Sequence, residues 1–140
     1  MLLQPASAII AGAVLLTVIG IAYGGTFMLR VVTGKQGANA LQKSFFRAGH
    51  AHAGVLVILG LVVLVLLDAA GVTGWMHLAA IGVLATAILI PGGFFLSVLG
   101  RDPQRPSGVI ALVWVGFAVL TISLIVAGIA LIVAGAAAVG

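Results

Sequence analysis

The chain has no cysteine and no glutamate, and its only acids are Asp68 and Asp102. Without cysteine there is no disulfide framework, no thiolate metal site and no thiol nucleophile. With no glutamate and no pair of carboxylates near mid-membrane, the carboxylate pair of a glycosidase is missing. Neither a phosphate-binding P-loop nor a nucleophile elbow occurs, which removes the corresponding hydrolases. Charged residues make up 6% of the 140 residues, against roughly a quarter in soluble domains. A surface facing water cannot be assembled from so few, and a nucleic-acid reader is excluded for the same reason, although the net charge is +4.

What the chain does have is apolar length. Hydrophobic residues are 64% of it, gathered into long runs with no period-two alternation. A bilayer crossing takes about 20 apolar residues in a helix, and lipid leaves a helix or a closed barrel as the only ways to satisfy the backbone. The expectation is an all-α integral membrane four-helix bundle, one transmembrane domain over 1–140, with helices at about 6–31, 40–69, 75–99 and 108–136. The first run lacks a basic leading region and is too long for a signal-peptide core, so a retained helix is expected there. Pro5 suits a first helical turn. Asn39 and Gln42 have capping-box chemistry, which starts the second helix before the membrane. Gly71 to Gly74 mark a tight turn, and Ser107 is a candidate N-cap for the last helix.

All six basic residues, Arg30, Lys35, Lys43, Arg47, Arg101 and Arg105, fall in or beside the first and third connections. With four crossings these connections share one side. The positive-inside rule makes that side the cytoplasm of a plasma (inner) membrane, with both termini outside. The basic residues then serve topology and lipid headgroups, and Trp75 and Trp114 serve as interfacial anchors. Tyr23 to Arg30 and Pro91 to Ser97 share a Gly-Gly pair before a basic connection, so the bundle can be read as two tandem helical hairpins. Pro91 is expected to kink the third helix.

Ionisable side chains inside a membrane span mark function by default, which singles out Gly49-His50-Ala51-His52. Residues two apart on a helix point about 200° apart, so His50 and His52 cannot both ligate one ion from the same helix. Small neighbours at Ala48, Gly49, Ala51, Ala53 and Gly54 leave room for close helix approach or a flat ligand. Counting helical rise from the basic edge puts Tyr23 with the glycine pair of the first helix, Arg47, His50, His52, and Pro91, Gly92 and Gly93 in one inner-leaflet layer. That layer is the candidate ligand site, with Tyr23 donating a hydrogen bond, Arg47 holding a carboxylate or propionate, and a histidine ligating metal or carrying a proton. His77 lies at the opposite membrane face; it is either a plain interfacial histidine or a partner of Asp68, which ends the second helix where an acid opposes the helix dipole.

Gly49 to His52 resembles the His-x-His motif of haem-copper oxidase-like and NnrS-type membrane proteins. The resemblance implies that a histidine here ligates haem or a transition metal; it is confined to this segment, and the further histidines that complete those sites are absent. In composition the chain is otherwise similar to uncharacterised small four-helix membrane proteins of high-GC bacteria. The expected function is therefore a non-enzymatic binding protein for haem, a metal or a quinone-like redox ligand. The alternatives are an accessory subunit of a larger membrane complex, or a small channel or transporter. The lipid bilayer is one partner under every reading, and a homo-oligomer or larger complex is expected under each.

Overall fold

The structure, a computed structural model, describes residues 3–140. It is all-α, with α1 Pro5–Val32, α2 Ala40–Ala69, α3 Leu78–Ser97 and α4 Ala111–Val139. All four helices, α3 and α4 together with the short turns that lead into them, are long and apolar enough to cross a membrane. Single 3-10 turns, Gly74–His77 and Gly108–Ile110, lead into α3 and α4. Ser107 therefore precedes a 3-10 turn and makes no side-chain cap bond, contrary to expectation; its N–H instead bonds the Ser97 carbonyl at 2.7 Å and closes the α3–α4 connection. The α-helix of α3 runs on through Pro91.

The helix ends follow from local chemistry. Gln4 is extended and Pro5 occupies the first turn of α1, where its missing N–H costs nothing. Asn39 caps α2 in a complete capping box: its Oδ1 accepts from Gln42 N at 2.8 Å, and Gln42 Oε1 accepts from Asn39 N at 3.1 Å. α2 ends in a Schellman motif, with Val72 N donating to Leu67 O and Gly71 N to Asp68 O. Gly71 supplies the left-handed φ of +68° that this motif requires.

The helices pack in chain order. α2 lies between α1 and α3, and α3 lies between α2 and α4, while among the described residues α1 approaches α2 alone. Between apolar helices in lipid, close backbone approach replaces the hydrophobic effect as the source of cohesion. Gly60 of α2 receives the Leu84 side chain, and Gly82 of α3 receives Ser123 of α4; a Cβ at either position would overlap its neighbour. At the basic end, Phe46 stacks on Phe95 with ring centroids 5.5 Å apart and meets Phe27 edge-on at 5.4 Å.

The two basic connections meet. Gln42 Nε2 donates to Val98 O at 3.1 Å and to Gly100 O at 3.0 Å. Asn39 Nδ2 donates to Asp102 Oδ1 and Pro103 O, each at 2.8 Å. Two amide side chains, Asn39 and Gln42, thus cap α2 and pin the α3–α4 connection over it.

Candidate functional site

The two histidines of α2 face different helices, as their spacing requires. His50 turns to α1. Its Nδ1 lies 3.6 Å from where a Cβ on Gly24 would be, and its Nε2 lies 3.6 Å from the same position on Gly25. The nitrogen-bearing edge of the imidazole therefore lies against the one stretch of α1 that has no side chains. His50 is half-buried and, unlike His52 and His77, makes no side-chain hydrogen bond among the described residues.

His52 turns to the other side, toward α3 and α4. Its ring sits 5.4 Å from Phe94 and meets Phe117 edge-on at 6.1 Å. Nδ1 is 2.7 Å from the Ala48 carbonyl of its own helix. A carbonyl can only accept, so Nδ1 carries a proton, and in the tautomer this selects the lone pair sits on Nε2.

The remaining residues of the expected layer do not converge on either ring. Tyr23 is 77% exposed and points out of the bundle, because its neighbours Gly24 and Gly25 take the inward face of α1. Arg47 is exposed. Pro91 is buried in α3. Gly93 faces α4, where a Cβ would come within 2.6 Å of the Val113 side chain, and Gly92 meets no neighbour. Gly93 thus belongs to the α3–α4 contact. The two glycine pairs are nevertheless alike in one respect, since Gly25 and Gly93 each turn to the next helix in the chain.

One turn from His50 toward the other end of the bundle, a groove of about 510 Å³ opens between α1 and α3. Ala53 and Val57 of α2 form its floor, Val14, Thr17 and Ile21 one wall, and Leu84, Ala85 and Ile88 the other. It exists because α1 and α3 both pack on α2 without approaching each other. Its only polar side chain, Thr17, already donates to Val14 O at 2.7 Å.

The end of the bundle away from the basic connections holds a buried polar cluster that the sequence showed only in part. The Asp68 carboxylate accepts from Gln4 N at 2.8 Å and from Ser7 Oγ at 3.1 Å, and pairs with His77 Nε2 at 2.6 Å. Its side chain is 0% exposed and that of His77 is 15% exposed. His77 is thus a partner of Asp68 rather than a plain interfacial residue. An acid at the end of α2, unfavourable to the helix dipole by itself, signalled the need for donors; nothing in the sequence marked Ser7 and Gln4 as two of them.

Among the described residues, no three His, Cys, Asp or Glu side chains gather as a metal site would require. No family model matches the chain, and comparison with curated proteins and with solved structures finds no match.

Proposed function

We propose that the protein is a membrane-embedded binding protein that holds a lipid-soluble, quinone-like ligand in the α1–α3 groove, with the polar end of the ligand on His50. The observation that carries this reading is an apolar groove of about 510 Å³ whose floor starts at Ala53, one turn from His50, an imidazole that, unlike His52 and His77, makes no side-chain hydrogen bond among the described residues. Ligand sites in general combine an apolar lining with few, well-placed polar groups. A neutral imidazole offers one donor and one acceptor. It can donate to a quinone carbonyl and accept from a quinol hydroxyl, so it suits both redox states.

Haem or metal ligation draws less support, because among the described residues no three His, Cys, Asp or Glu side chains gather to complete such a site, whereas a quinone needs only that the His50 ring turn from Gly24 and Gly25 toward the groove. The free lone pair of His52 is the better ligand for such a group. The side with the six basic residues is the cytoplasmic one in this reading, which places both termini outside.

The test is equilibrium binding of a short-chain benzoquinone to the protein in lipid nanodiscs, with an absorption spectrum and metal analysis of the same preparation. Saturable binding weakened about tenfold by His50→Leu and unchanged by His52→Leu is the expected result. No saturable binding, or equal loss in both variants, overturns the quinone reading. A haem spectrum or stoichiometric metal that disappears in His52→Leu replaces it with ligation on the other side of α2.

A further inference from the structure

α1 is fastened to the bundle at its two ends and little between them. At the cytoplasmic end the attachment is one of shape, His50 against Gly24 and Gly25, supported by Met28 and Val31 in a cluster with Phe46. At the outer end it is polar, through Gln4 and Ser7 to Asp68. Along the stretch between, Gly12 and Gly20 meet no neighbour, and Leu15, Leu16 and Ile19 are exposed. The inner face of that stretch is the groove wall, from Ile10 to Ile21, about 16 Å of helix.

The outer attachment is built unlike the rest of the molecule. A carboxylate in the last turn of an apolar helix is costly unless donors surround it, and here the donors come from α1 and from the turn before α3. Ser7 and His77 also approach each other, at 3.5 Å between Oγ and Nε2. Among the described residues Asp102, the other acid, lies at the opposite end of the bundle, bonded to Asn39. Among the described residues, every hydrogen bond between α1 with its N-cap and the chain from α2 onward is made here: Gln4 to Asp68 and Val72, and Ser7 to Asp68 and His77.

We propose that Asp68, with Ser7 and His77, is a releasable latch. When it opens, the outer half of α1 swings from α2 about the His50 contact with Gly24 and Gly25, and the groove opens sideways to the outer half of the bilayer. That the opening admits a ligand rests on the function proposed above; the swing itself does not. The pivot follows from the asymmetry of the two attachments. Loss of the carboxylate removes the polar one and leaves the glycine contact untouched.

The absence of cysteine allows spin labels to be placed at will, and the experiment needs no ligand. One pair, Ala13→Cys with Leu78→Cys, spans α1 and α3 in the outer half; a second, Leu29→Cys with Leu96→Cys, joins exposed sites on the other side of the pivot. Double electron–electron resonance in nanodiscs then compares the parent with Asp68→Asn and with Ser7→Ala, the second variant covering the case in which the first fails to fold. The latch predicts a longer and broader distance distribution for the outer pair in either variant, by several ångströms, with the inner pair unchanged. Unchanged outer distances in a folded variant, or equal lengthening of both pairs, overturn it. Binding of the benzoquinone is read separately: outer-pair motion without binding sinks the ligand reading and keeps the latch.

Discussion

His77 Nε2 and Asp68 Oδ1 lie 2.6 Å apart across the Schellman turn that ends α2. The turn brings the chain back on itself within a few residues, so the base meets the acid without a long loop. α1 then delivers Ser7 and the Gln4 amide to the same carboxylate.

Asp68→Ala leaves three donors in this cluster without their acceptor. Breaking a buried ion pair on one side costs about 3–5 kcal/mol, so this variant is expected to lose about 3 kcal/mol or more in reversible SDS-induced unfolding. Asp68→Asn, which keeps one accepting oxygen, is expected to lose less.

The slot for His50 sets a size limit. A Cβ on Gly25 would stand 3.6 Å from Nε2, an ordinary contact, so Gly25→Ala is expected to be neutral or slightly stabilising, by up to about 1 kcal/mol from helix propensity. Gly25→Leu must drive the ring out and is expected to lower the melting temperature clearly. The two variants compared in one thermal unfolding assay give opposite signs.

Close packing of the central helices makes a parallel prediction with a built-in control. Gly82→Ala places a methyl group on Ser123, whereas Gly12→Ala meets nothing. Overpacking costs typically about 1–3 kcal/mol, so the first is expected to destabilise by that amount and the second to be near neutral.

Gln42 links two connections through one side chain. Gln42→Leu removes the reciprocal half of the capping box and both bonds to the α3–α4 connection. The expected loss is about 1–2 kcal/mol, accompanied by faster cleavage by trypsin at Arg101 or Arg105, which limited proteolysis of nanodisc samples would show.

The helix count, the basic end and the capping box could be read from the sequence because each is local: a run of apolar residues, a run of cations, an Asn and a Gln three positions apart. The divergence of His50 and His52 was equally legible, since it needs only the helical repeat. What could not be read is the rotation of each helix about its axis. α1 is apolar on every face, so nothing in its composition says that the glycines turn inward and Tyr23 outward; the imidazole of another helix decides that. The cluster around Asp68 escaped for a different reason. Ser7 and Asp68 are 61 residues apart, and a single serine early in an apolar helix carries no mark of its partner.

The chain-order packing has a consequence for how the molecule is made. Each helix docks mainly on the one synthesised just before it, so a nascent chain leaving the ribosome can build the bundle by successive additions, with no segment held waiting in lipid for a distant mate. α1, docked on α2 alone among the helices, ends on the rim, and it is the one most easily lifted off.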